Sequence, residues 1–244
     1  MNGNPGNKNY CWIMLVLRTV LFITFQCLLA LIISMFNRPA AWEKAASAWP
    51  LIVIMVNLSC IILLVYRFKR QGKRYMDLFK ISKTHLKQDL LIMLPILITS
   101  ALISILPNIG LAQVLFGDPQ AAMAFMLRPL PLWAAWISLL LFPLTQGLAE
   151  LPTYFAYVMP RLQEQGYSNF WALSLPAVFL SVQHIGIPFL LDSRYILLRM
   201  VMFLPFAFFL GIILRWRPWL MPYLAIMHVL MDASLAVMLL PIAY

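Results

Sequence analysis

Long runs of apolar residues recur along the chain, separated by short stretches rich in Pro, Gly, Lys and Arg. A run of about 20 apolar residues is long enough to cross the hydrocarbon core of a bilayer as an α-helix. The runs predict membrane-spanning helices over residues 11–34, 50–66, 90–106, 132–159, 170–191, 195–214 and 219–240. The pattern therefore predicts an all-α, polytopic transmembrane helical bundle with about seven spans.

Composition agrees with this pattern. Hydrophobic residues make up 63% of the 244 residues and charged residues only 11%, whereas a soluble domain is nearer half apolar and a quarter charged. The net charge of +10 would ordinarily suggest a nucleic-acid partner. Here membrane spans interrupt the basic residues, so no nucleic-acid binding is expected. Cys11, Cys27 and Cys60 lie in or beside apolar segments without paired spacing, which predicts small buried side chains and no disulfide or cysteine metal site.

The most basic stretch lies between the second and third predicted spans. Its basic residues are Arg67, Lys69, Arg70, Lys73, Arg74, Lys80, Lys83 and Lys87. Because cytoplasmic loops carry an excess of Lys and Arg, this stretch predicts a cytoplasmic N-terminus in a multi-pass protein of the cell (plasma) membrane. Interleaved apolar residues leave two alternatives open, an amphipathic helix on the lipid headgroups or a solvated loop. His85, in the same stretch, is expected to be solvated.

Proline, glycine and capping residues predict several boundaries. The third span is expected to end at Pro107, followed by an irregular linker to about Pro131. Ser168 or Asn169 can cap the fifth span. Further prolines flank the polar residues within the last spans, and the bends they cause favour a cavity at that depth.

Strong polar side chains inside the predicted spans are rare and therefore informative. An ionised carboxylate in hydrocarbon is costly, so Glu150 should face protein or water and have a partner. At about 1.5 Å per residue, Glu150, His184, His228 and Asp232 lie about 15, 22, 15 and 21 Å from the cytoplasmic ends of their helices. This agreement in depth predicts one cluster, and His228 and Asp232 share a helix face. Arg18 and Arg199 are expected to snorkel towards the interface and to have no role.

Three short motifs then resemble those of the CAAX protease and bacteriocin-processing (CPBP, or Abi) family of intramembrane proteases. The first is the run ELPTYFAYVMPRL from Glu150, where that family has a Glu-Glu pair, an Arg four residues later and often Pro-Arg-Leu. The second is LSVQH, ending at His184, which is similar to Phe-x-x-x-His. The third is HVLMD, from His228 to Asp232, which matches His-x-x-x-Asn/Asp. Order and spacing agree from about residue 132 to the C-terminus.

The chain departs from the family pattern at three positions. Leu151 replaces the second Glu, Phe155 replaces the motif Arg, and Leu180 replaces the motif Phe. Positions 151 and 155 share a helix face, so the usual Glu and Arg could pair. Losing both removes that pair without leaving either charge alone. The departures put full family-typical activity in question, and they leave a divergent or inactive member as an alternative.

The resemblance implies hydrolysis of peptide bonds in membrane-associated peptide or protein substrates. Glu150 would activate water as the general base, and His184 would hold that water and pass the proton to the leaving amine. His228 and Asp232 would stabilise the oxyanion. An ionised Asp232 can only accept hydrogen bonds, so it is either protonated or orients and charges His228, and the second is preferred.

Alternatives to this interpretation remain open. The preferred mechanism requires no cofactor, yet Glu150, His184 and His228 could ligate zinc, with Asp232 as a fourth group. Buried acids and histidines also form proton relays, so a proton-coupled transporter, a bacteriocin-immunity pseudoprotease or a scaffold is the rival function. The resemblance divides the chain into residues 1–89, two spans with the basic loop, and residues 90–244, a CAAX-protease-like core within a single membrane domain.

Overall fold

A computed structural model of the protein describes residues 6–84 and 86–244, so the expectation for His85 lies outside the described residues. The described chain is helical, and its one extended pairing is an isolated bridge between Gly186 and Phe189. The α-helices are α1 (Gly6–Met35), α2 (Ala41–Ser47), α3 (Trp49–Lys69), α4 (Leu86–Phe116), α5 (Ala121–Met126), α6 (Leu132–Leu151), α7 (Met159–Glu164), α8 (Asn169–Val182), α9 (Ser193–Val201), α10 (Leu204–Trp216) and α11 (Met221–Val237). A π-helix (Pro152–Val158) joins α6 to α7, and 3₁₀ turns cover Tyr75–Phe79, Gln183–Ile185, Pro218–Leu220 and Leu240–Ile242.

Helices long and apolar enough to cross a membrane confirm the predicted multi-pass integral membrane protein. In the described ranges there are six: Asn9–Met35, Trp49–Lys69, Leu86–Phe116, Leu132–Glu164, Ser193–Trp216 and Pro218–Ile242. Many of their large apolar side chains are exposed on the outside of the bundle, as in Leu31, Ile62, Leu91 and Leu140. Such a surface is stable against lipid, which is as apolar as the side chains that face it.

The third predicted span is longer than the sequence suggested. Helix α4 continues through Pro95 and Pro107 to Phe116, so the expected end at Pro107 was wrong. A proline removes one backbone donor, but neighbouring groups can compensate for this within a membrane span, where an unpaired backbone is costlier still. The expected irregular linker is correspondingly shorter, and it contains helix α5.

The fifth predicted span is only partly helical. Helix α8 has 14 residues, or about 21 Å at 1.5 Å per residue, and Ser168 caps it by accepting a bond from the Trp171 amide. After the 3₁₀ turn the backbone is irregular, which at membrane depth requires protein partners. Gln26 supplies them on one side, donating to the Phe189 carbonyl at 2.7 Å and accepting from its amide at 2.8 Å. On the other side, the Tyr195 hydroxyl donates to the Ile187 and Pro188 carbonyls, and Arg199 also donates to the Ile187 carbonyl.

Between α3 and α4, the described residues of the basic stretch form mainly an exposed loop, which is one of the two alternatives left open. Its one regular segment there is the 3₁₀ turn Tyr75–Phe79, and no amphipathic α-helix is present among these residues. Tyr75 is buried and its hydroxyl donates to the Leu148 carbonyl on α6, whereas Met76 and Lys80 are exposed. Burial raises the pKa of the Tyr75 phenol above its ordinary value of 10.0. The turn therefore anchors the basic stretch to helix α6.

Contacts between helix ends show which termini share one face of the bundle. The Arg67 guanidinium at the end of α3 lies 3.9 Å from the Tyr10 ring centroid near the start of α1. The Trp12 and Tyr167 rings lie 5.7 Å apart, next to the start of α8. Further contacts on this side join Arg161 to Gln71 and Arg215 to Asn169. The side of the bundle defined by these helix ends is called the basic face below, and its basic residues include Arg67, Lys69, Arg70, Lys73, Arg74, Arg161, Arg215 and Arg217.

Helix α6 lies at the centre of the bundle, between α3 and α11. Its closest approach to α11 is at Gly147, where a Cβ atom would lie 2.6 Å from Val229 Cγ2 and 2.9 Å from the Ala225 carbonyl oxygen. Only glycine fits this contact without displacing the helices. The close approach brings Glu150, one turn later on α6, next to His228 on α11. The three cysteines are free; Cys11 and Cys60 are buried as predicted, while Cys27 is exposed.

Candidate active site

The four polar side chains predicted to cluster lie together in the structure. Glu150 is at the end of α6, His184 is in the 3₁₀ turn after α8, and His228 and Asp232 are on α11. Glu150 is 1% exposed, and His228 Nε2 lies 3.1 Å from its Oε2 atom. His184 Nε2 lies 3.8 Å from Oε1 of the same carboxylate. The predicted convergence is therefore confirmed, and the catalytic roles stay predictions.

The His184 ring is held in one orientation by its own helix. Its Nδ1 atom lies 2.9 Å from the Leu180 carbonyl oxygen, which can only accept a hydrogen bond. In the neutral ring Nδ1 therefore carries the proton, and the lone pair is on Nε2, the atom that faces Glu150. The arrangement leaves Nε2 able to accept a proton close to the carboxylate.

His228 lies between two carboxylates. Its Nε2 atom is 3.1 Å from Glu150 Oε2 and 3.5 Å from Asp232 Oδ2. Two acceptors at this distance favour a proton on Nε2, and the contact supports the prediction that Asp232 orients His228. Glu150 Oε2, His228 Nδ1 and Asp232 Oδ2 have no partner that meets hydrogen-bond geometry. Buried polar atoms without partners are uncommon and often mark sites of chemistry.

Arg18 is an unpredicted member of the cluster, and the expectation that it snorkels was wrong. It is 0% exposed and donates hydrogen bonds to Gln183 Oε1 at 2.5 Å, Asn57 Oδ1 at 2.8 Å and Gln146 Oε1 at 3.1 Å. Its Nη2 atom lies 4.0 Å from Glu150 Oε1. Arg18 lies about 18 Å from the start of α1, too deep for its side chain to reach the interface readily.

Two glutamines connect Arg18 to the carboxylate and were also missed. Gln146 Nε2 donates to Glu150 Oε1 at 2.8 Å, and Gln183 Nε2 donates to the same oxygen. Intramembrane amides on three different helices, including Asn57, were a signal available in the sequence, since such groups need partners in hydrocarbon.

The helix changes its hydrogen-bonding pattern directly after Glu150. Residues Pro152–Val158 form a π-helix, and Pro152 supplies no backbone donor. Short π-helical segments within α-helices occur frequently at functional sites. Here the change follows the carboxylate by two residues, and the apolar side chains after it pack into the core.

The positions that depart from the family pattern are apolar and buried. Leu151 is 0% exposed, Leu180 is 2% exposed and Phe155 is 3% exposed. Phe155 packs on α10 at Gly211, where a Cβ atom would lie 2.7 Å from its ring. A charged pair at positions 151 and 155 would not fit this packing without a change in α10. The apolar residues at these positions therefore agree with the apolar surroundings.

The cluster lines a cavity of about 140 Å³. Glu150, His184, His228 and Asp232 all contribute to its wall, and the rest of the lining is mainly apolar. The volume suffices for several water molecules next to the carboxylate. At Asp232 the cavity adjoins a larger apolar groove of about 720 Å³ between α4 and α11.

Arg199 also lines this cavity, which corrects the expectation that it snorkels. It is 3% exposed, and it donates from Nε to the His184 carbonyl at 3.1 Å and from Nη2 to the Ile187 carbonyl at 2.8 Å. These bonds fix the irregular backbone that carries His184.

Zinc ligation by Glu150, His184 and His228 is the alternative to a metal-free site. Within the part of the chain that the structure describes, no group of three or more His, Cys, Asp and Glu residues is arranged to hold a metal ion.

No family model, no curated protein and no solved structure matches this chain.

Proposed function

We propose that the protein is an intramembrane endopeptidase of the CPBP type that hydrolyses peptide bonds of membrane-associated peptides. The observation that supports this most is a buried carboxylate, Glu150, placed between the Nε2 atoms of two histidines at 3.1 and 3.8 Å in the wall of a cavity. Such a combination of acid, bases and space for water suits hydrolysis.

In the proposed reaction Glu150 takes a proton from a water molecule in the cavity, and the hydroxide attacks the peptide carbonyl carbon. The charge that develops on the carbonyl oxygen is stabilised by the Nε2 proton of His228, which Asp232 orients. When the C–N bond breaks, the proton moves from Glu150 through His184 Nε2 to the leaving amine. The products are a carboxylic acid and an amine, which become a carboxylate and an ammonium group by proton transfer, and ionised Glu150 is regenerated.

The test is cleavage of a fluorogenic membrane peptide by the purified protein in lipid nanodiscs. We expect Glu150→Gln to reduce cleavage at least about 100-fold, since general-base catalysis contributes about that much or more. Glu164→Gln, which changes an acid on the basic face, is the matched control. Equal cleavage by wild type and Glu150→Gln would refute the proposed base. Full activity after dialysis against a chelator supports the metal-free mechanism, whereas loss restored by zinc supports the alternative.

A proton-coupled membrane protein without peptidase activity is the second candidate. A continuous series of titratable groups favours it, because Glu150, His228 and Asp232 contact each other at 3.1 and 3.5 Å and lead to the apolar groove between α4 and α11. Proton flux into liposomes that is lost in Asp232→Asn, together with absence of cleavage, supports this function over the first.

We further propose that the chain crosses the plasma membrane seven times, with the basic face cytoplasmic and residues 90–244 forming a CAAX-protease-like core. The fifth crossing would combine α8 with the irregular backbone after it. This proposal is supported by Arg215, at the end of α10, which donates to the Asn169 carbonyl at the start of α8. Cysteines placed at Lys73 and Arg38, both exposed, in a variant without natural cysteines, should react with an impermeant maleimide from the inside and the outside respectively.

A further inference from the structure

Arg199 on α9 carries a buried positive charge that the described residues do not neutralise. Its guanidinium is permanently protonated, and its two hydrogen bonds go to the backbone carbonyls of His184 and Ile187. In the described ranges no carboxylate oxygen lies within 4.0 Å of it. A buried charge without a counterion is destabilising unless the site has another use for it.

Arg18 shows what a neutralised arginine looks like in the same protein. It lies 4.0 Å from Glu150 and has a hydrogen bond from each of its three nitrogens to a side-chain amide. Arg199, by contrast, donates from Nε and Nη2 to the backbone, and its Nη1 atom has no hydrogen bond to the residues that the structure describes. Because Arg199 lines the cavity, its remaining donors can reach a ligand there.

We infer that Arg199 is an anion-binding residue that holds a carboxylate of the ligand in the same cavity as Glu150. The walls around it are apolar, among them Met202, Phe203 and Phe206, and low polarity strengthens a charge-assisted hydrogen bond. The carboxylate is either the C-terminus of a chain or an acidic side chain. The inference rests on the proposed function in one respect, namely that the ligand is a peptide.

Binding can be measured without cleavage in the Glu150→Gln protein in lipid nanodiscs. The probes are three versions of one fluorescent apolar peptide: a free C-terminal carboxylate, a C-terminal amide, and a C-terminal amide with one internal Glu. We expect at least one carboxylate-bearing version to bind about tenfold or more tightly than the amide, as for a hydrogen bond between charged groups. Tighter binding of the first version identifies a chain terminus, and tighter binding of the third identifies a side chain.

Arg199→Gln in the same protein should abolish this preference. Tyr195→Phe is the matched control, since it removes hydrogen bonds to the Ile187 and Pro188 carbonyls of the same backbone but no charge. It should keep the preference. If Arg199→Gln does not fold, competition by acetate on the Glu150→Gln protein replaces it, and acetate should weaken binding of the preferred peptide only.

Equal binding of all three peptides overturns the inference, as does a preference that survives Arg199→Gln. The outcome is separable from that of the proposed function. A carboxylate preference in a protein whose wild type cleaves no peptide keeps the anion site and removes the endopeptidase. If cleavage depends on Glu150 but the acid and amide peptides bind equally well, the endopeptidase is supported and the anion site is refuted.

Discussion

Replacing Arg18 tests whether its charge is coupled to that of Glu150 or whether its side chain contributes only packing. In wild type its guanidinium lies 4.0 Å from Glu150 Oε1, and both side chains are almost fully buried. Arg18→Met keeps most of the side-chain length but removes the charge and its donors. Glu150→Gln removes the opposite charge, and the double variant removes both.

The expected size of the effect follows from the geometry. Two unit charges 4.0 Å apart interact by about 4 kcal/mol at an effective dielectric constant of about 20. Removing one member of a buried pair typically destabilises by about 3–5 kcal/mol, because the other charge stays buried without its partner. The bonds from Arg18 to amide groups are lost in either background, so they largely cancel from the comparison. We therefore expect the loss in the double variant to fall short of the sum of the single losses by about 2–3 kcal/mol.

The assay is reversible unfolding in mixed micelles, followed by the fluorescence of the eight tryptophans. The control is Arg67→Met, which changes a buried arginine whose Nε atom donates to the Tyr157 hydroxyl at 3.0 Å on the basic face. Its effect should add to that of Glu150→Gln within about 0.5 kcal/mol. If the Arg18 and Glu150 substitutions are equally additive, the two charges are not coupled and the reasoning fails.

The other predictions concern neighbouring contacts. Gly147→Ala should destabilise by about 1–3 kcal/mol, since overpacking separates α6 from α11, whereas Gly110→Ala, with open space around it, should be neutral or stabilising in the same unfolding assay. Tyr75→Phe should cost about 1 kcal/mol at neutral pH. Because the pKa of the Tyr75 phenol is raised by burial, its contribution is complete below about pH 10 and is lost as the pH rises further. The stability of Tyr75→Phe should therefore fall less steeply than that of wild type in an alkaline titration. Gln183→Leu should reduce kcat for peptide cleavage and change KM less, since it leaves Glu150 Oε1 with one hydrogen bond fewer. Gln163→Leu, on the basic face, is its control.

Apolar runs predicted the helical class and most spans because a membrane helix must satisfy its own backbone, whatever surrounds it. Boundaries set by tertiary contacts were not predictable in this way. Helix α4 passes Pro107, where local rules end a helix. Helix α8 stops at Val182, although the predicted span continues through Gln183 and His184 to Leu191. There the irregular backbone depends on Gln26, Tyr195 and Arg199, which come from other helices.

The candidate site was predictable as far as the depth of a residue in the membrane determines which residues it can contact. Spacing placed Glu150, His184 and His228 at similar depth, and the structure brings them together. Depth says nothing about which side chain from a distant helix completes a cluster, so Arg18 was assigned to the interface. The site thus draws on both sides of residue 89, because Arg18 and Asn57 belong to the N-terminal two spans.

The direction of the hydrogen bonds around Glu150 follows from Arg18. A guanidinium has donors only, so the amide oxygens of Gln146 and Gln183 must face it. The amide nitrogens then face Glu150 Oε1, which accepts a hydrogen bond from each of them. The other oxygen, Oε2, has no hydrogen-bond partner and lies 3.1 Å from His228 Nε2. Arg18 on α1 thus orients the two amides that donate to Glu150, although it belongs to the part of the chain outside the motif resemblance.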